Sequence, residues 1–303
     1  MVSQLALEKW PGAISTVTIG NKNEVSIGGQ NTLPLLFREG NIPNKPRIAF
    51  EIWDIPPQEW PEELVNAYGK VLNDPFAWAE KCVNEYKAKL LCLKMQGTHP
   101  DLGNKTACQA AKFVSTLLSK IKVPLIIIGS GDDTKDNLIM PACSEAAKAT
   151  RCLIGCAVQN NYKTLVASVL ADGHNIIAES PIDINIAKQL NILISDMGLS
   201  LERIVMNPTI GALGYGLEYA YSIMERARLA ALSGDKTLAM PFICFVGQEA
   251  WRTKEAKTSP QQGVIWETIT ATSLIQSGAD LLIMRHPNAI EKTSNYIERL
   301  FKN

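Results

Sequence analysis

Residues 204–232 read IVMNPTIGALGYGLEYAYSIMERARLAAL. An apolar run, Ile204-Val205-Met206, stops at Asn207-Pro208. Proline has a fixed φ and no N–H to donate, so it ends a buried strand cleanly. Gly211, Gly214 and Gly216 follow, and glycine permits positive φ and close approach of backbone to a ligand. From Leu217 onward, Ala220, Ile223, Met224, Ala227 and Ala231 recur at helical spacing. The stretch is therefore strand, glycine loop, helix, with a helix N-terminus beyond the strand end. It lacks the Gly-Lys-Ser/Thr ending of a P-loop and the glycine spacing of a dinucleotide fingerprint, so an ordinary turn stays open beside a ligand loop.

The same rhythm extends in both directions. Apolar runs fall near 48–53, 90–95, 124–129, 152–158, 175–178, 203–206, 241–246 and 280–284. Most are continuously apolar, as strands covered on both faces are. Between them the periodicity predicts helices over 75–87, 105–120, 135–150, 162–172, 184–197, 217–232, 264–277 and 288–301. Asp74-Pro75 is an N-cap with proline at the first helical position, and Gly173, Gly198, Gly234 and Gly278 stand where helices end. Eight strands alternating with eight helices predict a (β/α)8 barrel over residues 47–303. The alternative is an open doubly wound sheet, which would carry a first-turn glycine fingerprint. Residues 1–46 differ: Val17-Thr-Ile19 and Glu24-Val-Ser-Ile27, joined by Gly20-Asn-Lys-Asn23, predict a hairpin within an N-terminal cover segment.

Composition narrows the function. The chain has 303 residues, 46% hydrophobic and 20% charged, and its 30 basic and 30 acidic residues cancel. No electrostatic footprint for nucleic acid or an anionic membrane results. The opening MVSQLALEKWPG does not read as a secretory signal, and no apolar run is long enough to span a bilayer. A cytoplasmic location is the expectation. The seven cysteines include no Cys-x-x-Cys pair, so buried thiols are expected rather than a cluster held within this chain. Cys152 and Cys156 lie four apart on one strand, which would point them to the same side.

In a (β/α)8 barrel, function sits where the strands end at the C-terminal face. The residues there are Asp54; Gln96 and His99; Ser130, Asp132 and Asp133; Asn160 and Asn161; Ser180, Asp183 and Asn185; Asn207, Thr209 and the glycine loop; Gln248, Glu249 and Trp251; Arg285 and His286. This inventory is rich in amides and hydroxyls. His99 and His286 have no carboxylate at a metal-site spacing, and no nucleophile elbow is present. Asp132 and Asp183 stand where helix caps belong, so capping competes with an acid–base role. An amide-lined mouth suits a large heterocycle bearing many amides, because Asn, Gln and backbone groups both donate and accept.

Several stretches in one order carry a family resemblance. They are Lys45-Pro-Arg-Ile-Ala-Phe-Glu51-Ile-Trp53-Asp54, Asp74-Pro-Phe-Ala-Trp78-Ala, Val123-Pro-Leu-Ile-Ile-Ile-Gly129-Ser-Gly131 and Pro181-Ile-Asp183-Ile-Asn185-Ile-Ala-Lys188-Gln-Leu-Asn191-Ile-Leu. Gly211-Ala-Leu-Gly-Tyr-Gly216-Leu-Glu218-Tyr, Gly247-Gln-Glu249-Ala-Trp251 and Arg285-His286-Pro287 complete the set. Together they resemble the small, or delta, subunit of the corrinoid iron–sulfur protein in the acetyl-CoA decarbonylase/synthase system of the reductive acetyl-CoA pathway.

That resemblance implies a (β/α)8 barrel paired with a larger subunit that carries a [4Fe–4S] cluster and a cobalamin-binding domain. The cobalamin would lie between that domain and this barrel's mouth. The heterodimer would receive a methyl group from methyltetrahydrofolate, through a separate methyltetrahydrofolate:corrinoid methyltransferase, and pass it to acetyl-CoA synthase. Cobalamin contacts are then expected at Asp183, Asn185, Asn207, Thr209, Gly211, Gly214, Tyr215, Gln248 and Glu249. The loop 209–215 would shield the methyl group with Ile210, Leu213 and Tyr215, none of them a strong cobalt ligand. Two other readings are a free-standing pterin-binding methyltransferase barrel using Asp132, Asn160 and Asn207, and a scaffold that never touches the cofactor. Trp53, Trp60, Trp78, Trp251, Tyr215 and Tyr219 are the candidate interface anchors.

Overall fold

A computed structural model describes residues 6–302. The outermost residues of the two expected segments, 1–5 and 303, lie outside the described residues. Eight parallel strands close into a barrel. In chain order they are β3 (Arg47–Trp53), β4 (Leu91–Lys94), β5 (Leu125–Ile128), β6 (Leu153–Ala157), β7 (Asn175–Glu179), β8 (Ile204–Asn207), β9 (Phe242–Cys244) and β10 (Ala279–Met284). Each strand neighbours the next in sequence, and β10 closes onto β3. This order excludes the open doubly wound sheet.

The helices outside are α1 (Glu62–Tyr68), α2 (Pro75–Asn84), α3 (Ala107–Lys120), α4 (Asp133–Ala146), α5 (Tyr162–Asp172), α6 (Ile184–Asp196), α7 (Leu217–Leu232), α8 (Val246–Ala250), α9 (Pro260–Gln276) and α10 (Pro287–Leu300). Local chemistry sets many of their ends. Asp74 accepts from Phe76 N and Ala77 N at the start of α2, and Thr106 forms a capping box with Gln109 at the start of α3. Gly173, Gly198, Gly234 and Gly278 all take positive φ. Periodicity did not reveal α1 or α8. The run at 241–246 predicts a strand to Val246, but the strand ends at Cys244 and the chain turns into α8, where Gly247 packs directly against Arg285. A Cβ at Gly247 would meet Arg285 Cγ at 2.7 Å.

Two apolar layers follow from the alternation of strand side chains. Outward residues such as Ile52, Leu93, Ile127 and Ile154 pack under the helices. Inward residues such as Ala49, Cys92, Ile126, Ile177, Val205 and Leu281 fill the barrel. The hairpin of β1 (Thr16–Ile19) and β2 (Val25–Gly28) joins this inner layer through Val17, Ile19, Val25 and Ile27. Its chain is tied to the N-terminal ends of the strands: Asn175 Nδ2 donates to Thr18 O at 2.8 Å, and Gly20 N to Arg151 O at 2.8 Å. Gly28 is required there, since φ is +79° and a Cβ would meet Ser15 O at 2.2 Å.

A buried polar clamp sits at the same end. Asp280 accepts from Arg228 at 2.9 Å, from the Phe242 backbone N–H at 2.7 Å and from Gln30 Nε2 at 2.8 Å. One carboxylate therefore joins α7, β9, β10 and the segment after the hairpin. Breaking a buried pair on one side leaves an uncompensated charge. Asp280→Ala is expected to destabilise the chain by about 3 kcal/mol in urea unfolding; a loss near zero would show that the clamp is dispensable.

Candidate functional site

The C-terminal ends of the strands open into two adjoining depressions of ≈ 470 and ≈ 340 Å³. Both are lined by Lys94, Ser130, Gly131, Gln248 and Arg252, so they form one mouth. Trp53, Trp60 and Trp251 wall the larger part. Cys156, Glu179, Asp136 and Phe245 line the smaller.

The floor is charged, not the neutral amide surface that the loop residues alone suggest. Glu51, Lys94 and Glu179 belong to strands, and Arg285 follows β10 directly. Arg285 bonds Glu51 Oε1 at 2.7 Å, and Trp53 Nε1 donates to the same oxygen at 2.7 Å. The guanidinium lies 5.6 Å from the Trp53 ring centre and 5.1 Å from that of Trp60. Burial alone would push the Glu51 carboxyl up, but Arg285 beside it and Lys94 beyond hold it below the ordinary value. Lys94 Nζ donates to Gln248 Oε1 at 2.8 Å, and burial pushes its pKa down. Across the barrel, Asn207 Nδ2 donates to Glu179 Oε2 at 2.7 Å. The Cys156 thiol is held well above its usual range, first by burial and then by Glu179. A thiol so protonated is a poor nucleophile. The sequence did carry a signal for these residues: a charged residue at or near the end of an otherwise apolar strand.

The sequence candidates separate in space. Gln248 lines the mouth, and Glu249 beside it pairs with Arg252 at 2.9 Å. Asn207 is buried at the end of β8. Asp183 caps α6, accepting from Asn185 N at 2.7 Å and Ile186 N at 3.1 Å, while Asn185 is exposed on the first turn. Asp132 likewise caps α4 through Lys135 N at 2.7 Å. Thr209 has φ +53° and donates its hydroxyl to Ser180 O. Gly211 packs on the Tyr215 backbone. Gly214 borders a shallow groove with Leu213 and Leu217, away from the residues that line the mouth. Tyr215 bonds Glu255 at 2.9 Å, and Trp266 Nε1 donates to Leu213 O at 3.1 Å. The glycine loop is thus fastened toward α9 and the segment before it.

Other residues depart from the sequence expectation. Asp54 is buried under Lys105 at 2.8 Å and accepts from Gly97 N at 2.7 Å, so it joins two loops instead of facing the mouth. Cys152 packs in the outer layer and Cys156 in the inner one, because the β6–β7 register shifts between Ile154 and Ala157. Cys108 is exposed, whereas buried thiols were expected. Trp60, Trp78 and Trp251 are buried, and only Tyr215 (48%) and Tyr219 (63%) of the six aromatic anchors are exposed. Among the described residues, no three His, Cys, Asp or Glu side chains converge as a metal site would need. No helix among them is long and apolar enough to cross a membrane.

Fold and mouth together define a (β/α)8 barrel with an open polar face. The chain belongs to the CO dehydrogenase/acetyl-CoA synthase delta subunit family, whose model matches residues 16–294. It is 35% identical to the acetyl-CoA decarbonylase/synthase complex subunit delta of Methanothermobacter thermautotrophicus, covering 94% of this chain and 75% of that protein. The corresponding subunit of Methanocaldococcus jannaschii is 36% identical over 94% of this chain and 73% of its own length. Among solved structures, dihydropteroate synthase from Stenotrophomonas maltophilia superposes with a TM-score of 0.60 at 12% identity, covering 86% of this chain and 94% of that one. The Xanthomonas albilineans enzyme does so with a TM-score of 0.60 at 14% identity, covering 86% and 95%. At such identities the likeness is one of fold.

His286 does not open into the mouth. Its Nδ1 accepts from Asn288 N at 3.1 Å as the cap of α10, and its ring stacks 5.7 Å from Trp251. Burial lowers its pKa from 6.5 to about 4. Between those values the unfolded chain binds a proton that the folded chain refuses, so stability falls as pH drops from 6.5 to 4. His286→Asn keeps a capping side chain without that titration. Its unfolding free energy is expected to lose about 2 kcal/mol less than wild type across this window; parallel pH profiles would contradict the assignment.

Proposed function

We propose that this chain is the small subunit of a heterodimeric corrinoid iron–sulfur methyl carrier, and that its barrel mouth covers a cobalamin held chiefly by the large subunit. The observation that carries the reading is the family match over residues 16–294. The relatives are named as subunits of an acetyl-CoA decarbonylase/synthase complex, and the proposal extends that assembly to this chain. The [4Fe–4S] cluster belongs, in this reading, to the large subunit. A separate methyltetrahydrofolate:corrinoid methyltransferase loads the methyl group, and acetyl-CoA synthase receives it.

The residues of the mouth fit such a group. Lys94, Gln248 and Ser130 offer donors and acceptors around a depression wide enough for a ring's edge, and Trp53 supplies an apolar wall. Two deeply buried atoms, Glu51 Oε2 and Arg285 Nε, also lack a protein partner there. Cobalamin, when bound, supplies a cobalt that accepts and gives up a methyl group. The chain's own residues do less demanding work. The aromatic wall excludes water, Lys94 and Gln248 orient polar side groups, and the protonated Cys156 thiol does not compete for the methyl group. The loop 209–215 lies beside the mouth, held by Tyr215–Glu255 and Trp266–Leu213, and would have to release those bonds to lie over the exposed side of the cofactor and yield again to methyl donor and acceptor proteins. The residues invoked for a pterin site are engaged locally: Asp132 as a cap, Asn160 with Asp133, Asn207 with Glu179.

Tyr215 and Tyr219 are the exposed aromatic residues beside the rim, of the type that anchors interfaces. Mixed with the large corrinoid subunit, the chain is expected to elute as a 1:1 complex with corrin absorption, and alone to carry no stoichiometric iron. Tyr219→Ala should weaken that complex about tenfold in titration while leaving the melting temperature of the isolated chain unchanged. A chain that stays monomeric with the large subunit present would sink the proposal. Saturable tetrahydropterin binding by the isolated chain would favour the pterin barrel.

A further inference from the structure

Three cations at or beside the mouth are paired, while Asp136 and Asp133 accept from neutral donors only. Arg285 has Glu51 at 2.7 Å, Arg252 has Glu249 at 2.9 Å, and Lys105 has Asp54 at 2.8 Å. Lys94, the last residue of β4, has no carboxylate partner among the described residues. One of its three donors goes to the Gln248 side-chain carbonyl at 2.8 Å. Glu179, the last residue of β7, has no cationic partner among the described residues either. It accepts from Asn207 at 2.7 Å, with the weakly donating Cys156 thiol beside it. Both side chains line the same depression of ≈ 340 Å³, yet they do not pair with each other. Both are half-buried, and an ion withdrawn from water is costly unless something bonds to it.

We propose that Lys94 and Glu179 form a seat for a primary carboxamide, its oxygen accepting from the Lys94 ammonium and its N–H group donating to the Glu179 carboxylate. The chemistry selects this class. A carboxylate satisfies Lys94 but is repelled by Glu179, and an ammonium has the opposite conflict. A carboxamide carries an acceptor and two donors on one planar group and satisfies both at once. Gln248 stiffens the arrangement by holding Lys94, and Asn207 does so by holding Glu179. Discrimination follows as well, because a site built for hydrogen bonds rejects a group that leaves its buried partners unpaired. This inference rests on the covering-face reading above: a corrin ring is fringed with acetamide and propionamide groups, and one of them would enter this seat.

The test uses the full chain in complex with the large corrinoid subunit and two probes. Dicyanocobinamide keeps the primary carboxamides; dicyanocobyrinic acid carries carboxylates in their place. Dissociation constants are measured by absorbance titration for the large subunit alone, the wild-type pair, and pairs with Lys94→Met or Glu179→Gln, with circular dichroism and melting as folding controls. The wild-type pair should bind cobinamide more tightly than the large subunit alone, and each substitution should cost about tenfold. Glu179→Gln should also narrow the preference for cobinamide over cobyrinic acid by about tenfold, since the repelling charge is gone. Folded variants that keep both the wild-type affinity and the wild-type preference overturn the carboxamide seat while leaving the covering-face reading intact. A wild-type pair that binds cobinamide no better than the large subunit alone overturns that reading, and the seat with it.

Discussion

The mouth depends on the buried pair between Arg285 and Glu51. Arg285 follows the last barrel strand and Glu51 lies on the first, so their 2.7 Å contact spans the seam at which the barrel closes. Several groups around it are enlisted, although Glu51 Oε2 and Arg285 Nε keep no protein partner. The Arg285 backbone N–H is bound by Glu267 at 2.6 Å, its carbonyl by the Tyr68 hydroxyl, and its guanidinium lies against Trp53 and Trp60. Glu267 also takes Trp251 Nε1 at 2.7 Å and the His286 N–H at 3.1 Å, which fixes α8 against the end of β10. Such a pair need not add net stability, but losing one partner leaves a charge with nowhere to go. The geometry of Gln248 on α8, and through it of Lys94, is inherited from this arrangement.

Its consequence is a floor built on strand ends beneath a rim built of loops. The floor residues stand on strand ends or on elements bonded to them, where a side chain's position is held by the barrel. The rim consists of loops, and two of its aromatic residues point outward. In the proposed function this face covers a ligand presented by another protein. The dihydropteroate synthase likeness is instructive here. The same barrel serves unrelated chemistry, because the strands supply only the framework and the residues at their ends supply the site.

Much of this was legible along the chain. Alternating apolar runs and helical periods specified the barrel, since strands buried on both faces must be continuously apolar. Caps were readable one by one: Asp74, Asp132 and Asp183 each accept from backbone N–H groups two or three residues on, an interaction that needs no tertiary partner. Gly173 and its counterparts end helices for an equally local reason, positive φ.

What the tertiary structure alone decided is which residues share the mouth. Strand-end loops named Gln248 and Arg285 correctly but not Lys94, Glu51 or Glu179, because facing inward depends on the phase of each strand within the closed barrel. That phase is set by register with strands far away in sequence, as in the pairings Trp53↔Lys94 and Glu179↔Asn207. A single register shift in β6 sends Cys156 inward while Cys152 stays out, against the simple alternation. The glycine loop follows the same rule: its sequence permits the turn, but bonds from Trp266 and Glu255, some fifty and forty residues on, decide where it lies. Local composition determines that an element forms; long-range pairing determines what it faces.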